Sequence, residues 1–198
     1  MIISEPILEH CGALTKLYRS GERVFSEGQQ AFFFFQLKEG RVKLNNYNEE
    51  GTEFLQTIVQ EGDCFGESIL FTTHPYSMNA EVLEDALIWK LPKEAFFSVL
   101  KERPEIWRTL SERMAERLYF KQVMLQNNAL RNPASKLLAL LCYFKSSASD
   151  RTPFSLKVHF TRQQLASLTG LSVETVIRTI KQLEKQGHLQ IKDSKVYI

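Results

Sequence analysis

The chain has 198 residues, 43% hydrophobic and 24% charged, close to globular averages, which excludes a fibrous or disordered polymer and leaves room for one ordinary domain or two small ones. Its formal net charge of +2 hides an asymmetry, because residues 1–131 carry 15 Lys+Arg against 19 Asp+Glu while residues 132–198 carry 10 against 4. A net −4 segment joined to a net +6 segment suggests a sensor or partner domain attached to a small domain that meets a polyanion, the plainer alternative being a solvated basic surface.

At the N-terminus, Glu5 and Glu9 stand where a signal peptide needs basic and apolar segments, and no apolar run in the chain reaches the roughly 18 residues of a membrane span. A cytoplasmic protein without membrane contact is expected. The short N-terminus also leaves little room for a helix ahead of the first strand-like segment at Leu14. Cys11, Cys64 and Cys142 cannot all pair and show no CxxC spacing, so neither a disulfide framework nor a metal knuckle is anticipated. Cys64 and Cys142 read as buried, inert thiols. His10, His74, His159 and His188 are too scattered to form a zinc or haem pair with a cysteine.

From Leu14 to Leu91, glycines recur at 21, 28, 40, 51 and 62 between short apolar or alternating runs: AFFFFQLK, RVKLNNY, TEFLQTIV and ALIWKL. Strand-length segments punctuated by turn residues predict an all-β meander or roll in which each glycine lets the chain reverse. The run Phe32 to Phe35 has no polar alternation, so at least one strand is expected to be buried on both faces.

After Leu91 the period becomes helical. Pro92 can open one helix through PKEAFFSVLKE, and Pro104 a second, longer one from about Glu105 to about Leu130. Along it, Trp107, Leu110, Met114, Leu118, Lys121 and Leu125 recur at three- and four-residue steps. Such a helix spans about 40 Å, more than a small domain needs, so its stripe either pairs with its copy in a second subunit or packs on its own domain. Asn132 as N-cap and Pro133 in the first turn then open a helix through SKLLALLCYF. SSASDRTPF reads as a loop and SLKVHF as a short strand. The expected divisions are 1–103, 104–131 and 132–198.

Residues 161–198 read as helix, turn, helix and wing. Thr161 and Gln164 form a capping box, Leu165 and Leu168 face inward, small Ala166 admits a crossing helix, and Gly170 supplies the turn. Ser172 caps the second helix, whose Val176, Ile180 and Leu183 face the core at i, i+4 and i+7. Val173, Glu174, Ile177, Arg178 and Lys181 then fall on the other side. Gly187 ends the helix, and a two-stranded wing can form around Asp193-Ser194. A recognition helix presents its N-terminal residues to the major groove, where a Glu carboxylate accepts from cytosine N4 and an Arg fork binds guanine O6 and N7. Glu174 and Arg178, one turn apart, can therefore read one G·C pair and orient each other. Thr161, Arg162, Gln163, Ser172 and Thr175 lie near the two helix starts, where hydroxyls, amides and backbone N–H groups hold phosphates, with Lys181 alongside.

With these residues in view, the chain resembles the Crp/Fnr superfamily, the cyclic-AMP receptor protein and fumarate-nitrate regulator type of bacterial transcription factor. The resemblance runs through GERVFSEGQ, FFQLKEGRVKL, EGDCFGESIL and LEDALIWKLPKEAF, then LSERMAERL for the dimerisation helix and VETVIRTIKQLEKQGHL for the recognition helix. It implies an α+β fold with an N-terminal cyclic-nucleotide-binding-like β-roll, a long dimerisation helix and a C-terminal winged helix-turn-helix. It also implies a homodimer on double-stranded DNA, binding a pseudo-palindrome and contacting RNA polymerase, with the loop Ser146 to Phe154 matching the polymerase-contacting surface of family activators in position.

The sequence departs from that pattern at the effector site. Cyclic-AMP-binding members use a Gly-Glu pair, an Arg-Ser pair on the phosphate and a Thr-Ser pair from the dimer helix. Here Gly66 and Glu67 remain, followed by Ser68, but Tyr76-Ser77 replaces Arg-Ser and Lys121-Gln122 replaces Thr-Ser. Without the arginine fork a cyclic phosphate loses its charge-assisted partner. Lys121 either supplies charge instead or is a solvated residue. With only Cys11 near the N-terminus, the thiolates for an iron-sulfur centre are missing. Cyclic AMP, an iron-sulfur cluster and haem are not expected, and the pocket is left to an unknown small-molecule effector.

Val173 stands where cyclic-AMP-type members carry a base-reading arginine, so VET-x-x-R is closer to the oxygen-regulator type. Valine can touch a thymine methyl, and Ile177 either does likewise or is partly buried. Half-sites resembling TTGA are expected. No paired carboxylates, Ser/His/Asp set, Walker loop or dinucleotide glycine fingerprint suggests an enzyme. The remaining rival is a ligand-binding or protein-interaction module whose helix-turn-helix no longer binds DNA.

Overall fold

The computed structural model describes residues 1–146 and 148–198; Ser147, inside the expected loop 146–154, lies outside them. The chain forms two compact units, Met1–Arg117 and Leu118–Ile198.

The first unit opens with a helix for which the sequence leaves little apparent room: α1 (Glu5–His10). Six residues suffice because Pro6 presets helical φ in the first turn and Leu8 is fully buried. The buried Gln36 amide holds the segment ahead of α1 as a strand would, accepting from the Ile3 N–H at 2.9 Å and donating to its carbonyl at 2.8 Å.

Six strands come next: β1 (Leu14–Tyr18), β2 (Arg23–Phe25), β3 (Phe33–Tyr47), β4 (Glu53–Val59), β5 (Cys64–Phe65) and β6 (Asn79–Pro92). All pair antiparallel. β6 takes β1, β2 and β3, and β3 takes β4 and β5. The expectation that every glycine reverses the chain fails at Gly40. AFFFFQLK and RVKLNNY are one strand, β3, and Gly40 sits inside it at φ 92°, with register shifts at Leu37/Glu39 and Glu39/Arg41. It bends the strand as a bulge. A Cβ at Gly40 would collide with the Asp85 carbonyl and with Ala86 on β6.

Phe34, Phe35, Gln36 and Leu37 are all buried, so β3 is covered on both faces there, as its unbroken apolar run predicts, while Phe32 stays outside. Phe34 stacks on Phe96 at 4.5 Å between ring centroids and Phe35 on Phe65 at 5.6 Å. Fully burying a ring of this size contributes roughly 1.5–3 kcal/mol. Pro92 ends β6 and caps α2 (Lys93–Glu102), and Pro104 opens α3 (Pro104–Asn128). Ile106 and Leu110 are buried in the first unit's core and Met114 packs against it. Beyond that point Leu118 and Leu125 are exposed.

In the second unit, Asn132 Oδ1 accepts from the Ala134 N–H at 2.8 Å and starts α4 (Pro133–Ser146) as the sequence predicts. α4 buries Leu137, Leu140 and Leu141, which leaves Cys142 exposed, contrary to its reading as a buried thiol. SLKVHF is less than a full strand. It makes one bridge, Lys157 to Tyr197, and backbone hydrogen bonds from Leu156 and Val158 to Ile198 and Val196. α5 (Arg162–Thr169), α6 (Val173–Lys185), β7 (Gln190–Lys192) and β8 (Lys195–Tyr197) complete the unit.

Candidate nucleic-acid interface and effector pocket

The helix-turn-helix is built from local hydrogen bonds that its sequence specifies. Gln164 N–H donates to Thr161 Oγ1 at 3.1 Å, and Gln164 Oε1 accepts from the Thr161 N–H at 2.9 Å, closing the predicted capping box of α5. Gly170 ends α5 at φ 65°, a left-handed conformation that favours glycine. Ser172 Oγ accepts from the Thr175 N–H at 3.2 Å and starts α6. α6 leaves through Gly187 at φ 77°, with His188 N–H returning to the Leu183 carbonyl. Asp193 and Ser194 both take positive φ, 48° and 59°, as a type I′ hairpin turn requires of its two central residues.

These constraints fix which face of α6 is outward. Val176, Thr179, Ile180 and Leu183 are buried. Glu174, Ile177, Arg178 and Lys181 line an open groove that continues past Gln182 and Lys185. Ile177 is 41% exposed, so of its two alternatives the outward one holds. Val173 is half-buried at the start of the same face. Among the described residues no ion pair joins Glu174 to Arg178 in the DNA-free chain. Thr161, Gln163 and Ser172 are exposed and Thr175 is half-buried at the helix starts. Arg162 is half-buried, its Nη2 reaching the Ser194 carbonyl of the wing turn at 3.4 Å, and burial lowers its pKa.

The expected effector residues do not share one fate. Gly66 adopts φ 72° and leads into a 3₁₀ turn, Glu67–Phe71, in which Glu67 is buried. Ser68 and Ser77 are exposed. Tyr76, placed in the pocket by its position, is instead a core residue. It is 3% exposed and stacked on Phe25 with centroids 3.7 Å apart, its hydroxyl lacking a partner among the described residues. Burial, then the Glu67 charge, pushes its pKa up. Lys121 and Gln122 are exposed on α3 in the second unit. Burial, with Glu67 adding to it, raises the pKa of Cys64 well above its usual value, which keeps that thiol inert. Among the described residues no group of three or more His, Cys, Asp or Glu is placed to hold a metal ion.

The comparisons with known proteins agree along the chain. Residues 15–103 match the Cyclic nucleotide-binding domain and residues 134–198 the Crp-like helix-turn-helix domain. The chain belongs to the Crp/Fnr superfamily. The "cAMP-activated global transcriptional regulator CRP" of Pasteurella multocida is 28% identical over 184 residues, covering 92% of this chain and 87% of that protein. The "Nitrogen fixation regulation protein FixK" of Bradyrhizobium diazoefficiens is 26% identical over 189 residues, covering 92% and 76%. In fold, a CooA mutant from Carboxydothermus hydrogenoformans superposes with a TM-score of 0.83 at 18% identity, covering 99% and 87%. This Crp/Fnr protein is a DNA-binding regulator of transcription.

One site residue escapes the sequence reading, Arg117. The Arg117 Nη1 meets Glu67 Oε1 at 2.6 Å, and Nη2 donates to the Cys64 carbonyl. Burial alone would lower the pKa of Arg117, but the charge of Glu67 and, behind it, that of Asp63 more than offset it. The one available signal is spacing, since Arg117 lies one turn before Lys121 on the same helix.

Proposed function

We propose that this Crp/Fnr regulator acts as a homodimer on a promoter pseudo-palindrome whose half-sites resemble TTGA, about one helical turn apart, and that it does not respond to cyclic AMP. In this reading residues 1–103 form the sensor roll, 104–131 the dimerisation helix and 132–198 the DNA-binding domain. The observation that carries it is the outward face of α6, where Glu174 and Arg178 stand beside Ile177 without an ion pair between them, while both helices of the motif are capped. Glu174 and Arg178 read one G·C pair, and Val173 and Ile177 meet thymine methyl groups. Thr161, Arg162, Gln163, Ser172, Thr175 and Lys181 hold phosphates and set the register. RNA polymerase is the partner that turns binding into regulation, in the cytoplasm.

The replacement of the expected Arg-Ser pair by Tyr76-Ser77 supports cyclic-AMP independence, because a buried tyrosine offers a cyclic phosphate no charge. Selection from a randomised duplex library with purified protein and no added ligand tests the whole reading. Enrichment of a two-fold symmetric TTGA-type site is expected. Enrichment of TGTGA-type half-sites, or of none, would overturn the specificity argued for α6.

A further inference from the structure

Lys145, in the last turn of α4, has its whole ammonium engaged within the second unit. Its Nζ donates to the Thr152 carbonyl at 2.6 Å, to Ser155 Oγ at 2.5 Å and to the Ile198 carbonyl at 2.8 Å, one acceptor for each N–H. The segment it reaches, 148–155, is also tied within itself. Asp150 Oδ1 accepts from the Thr152 N–H and hydroxyl, Ser155 Oγ donates to the Asp150 carbonyl, and Arg151 Nη2 donates to the Ser146 carbonyl at 3.0 Å. Phe154 is held at φ 61°, a left-handed conformation that a bulky side chain adopts only where its surroundings impose it. Yet Ser149, Asp150, Arg151, Thr152 and Pro153 are all exposed.

We propose that Lys145 is the positioning residue of a preformed protein-docking loop, residues 149–153, and that the loop's occupant is RNA polymerase at the promoter. The proposal rests on the polymerase reading above. Charge selects a protein surface over DNA, because residues 148–155 hold one Asp and one Arg and have no net charge, within a segment, 132–198, of net +6. Nothing in the loop draws phosphates. Rigidity points the same way, since a surface loop whose backbone is already fixed loses little conformational freedom when a partner docks. The loop shares a unit with α5 and α6, so the chain presents it in fixed relation to the recognition helix.

The test uses the full chain, a promoter duplex with two inverted TTGA half-sites, RNA polymerase holoenzyme from the same cells, and the variants Lys145→Met and Lys145→Arg. Methionine keeps an unbranched stem and removes the three donors, whereas the arginine fork can still serve two of the acceptors. In Lys145→Met, amide exchange over residues 148–155 of the DNA-free protein should accelerate by roughly 10-fold or more, and holoenzyme should bind the protein–duplex complex about 10-fold more weakly. Affinity for the duplex itself should stay within about 2-fold of wild type, and Lys145→Arg should restore most of the holoenzyme binding. Wild-type exchange in Lys145→Met overturns the tie. Faster exchange with unchanged holoenzyme binding overturns the docking role, and an equal loss of duplex affinity makes Lys145 a support of the fold alone. If thermal unfolding shows that Lys145→Met does not fold, Ser155→Ala, which removes one acceptor and leaves the ammonium in place, carries the same comparison. A wild type that binds the duplex and never raises holoenzyme affinity sinks the polymerase reading, whereas exchange still decides the tie.

Discussion

Arg178 shows how far a single side chain can be argued. It is exposed on α6, four residues from Glu174, and no ion pair among the described residues competes for its guanidinium. A fork on guanine O6 and N7 discriminates by roughly 1–3 kcal/mol, so Arg178→Ala should lose about that much on the selected site and relax that one base pair, as read by fluorescence anisotropy on a panel of duplexes. An equal loss on every duplex would make Arg178 a phosphate contact instead. Arg117 is the opposite case. A charged residue on a long helix reads as solvent-facing, and its partner Glu67 lies 50 positions away, where no local pattern points to it. Cys142 misleads for a related reason. Its helix is apolar nearly all round, so the period does not tell which side Leu137, Leu140 and Leu141 will claim.

Among the secondary-structure elements, β3 departs furthest from its sequence signal. Gly40 sits in the middle of fifteen strand residues, although the same residue type truly reverses the chain at Gly51, between β3 and β4. The two are told apart by what surrounds them, since a Cβ at Gly40 meets the backbone of β6 and one at Gly51 meets nothing within 4 Å. Both glycines have positive φ, so alanine costs conformational strain of roughly 1–3 kcal/mol at each, and only Gly40→Ala adds a collision. Trp89 and Trp107 are both in the first unit, so tryptophan fluorescence in urea follows its unfolding. The midpoint should fall further for Gly40→Ala than for Gly51→Ala, and equal shifts would mean that β6 does not press on Gly40. α5 and α6 behave differently. Their caps and turn are satisfied within three or four residues, and so are legible without any tertiary information.

The long helix runs from the first unit into the second and carries the expectation about assembly. Its first turns are used internally through Ile106, Leu110 and Met114, whereas Leu118 is 58% and Leu125 73% exposed. Exposed leucines at helical spacing on a helix longer than its own unit needs are suited to a second copy. Replacing both with glutamate should convert a dimer to a monomer in analytical ultracentrifugation. It should also cut affinity for the palindrome steeply while sparing the fold, because two half-sites are then no longer held together. A double variant that remains dimeric would place the interface elsewhere.

Local order is written into the chain. The change from glycine-punctuated strands to helical period, the Pro92 and Pro104 helix starts, the capping box at Thr161, the left-handed Gly170 and the inward row Val176, Ile180 and Leu183 all arise from contacts only a few residues apart. The tertiary structure decided the questions that depend on distant partners. It put Tyr76 in the core against Phe25, paired Glu67 with Arg117 and turned Gly40 into a bulge under β6. Propensity and capping are short-range and can be read in order. Which side chain fills a buried site depends on which segments, far apart in the chain, the folded core brings within a few ångströms.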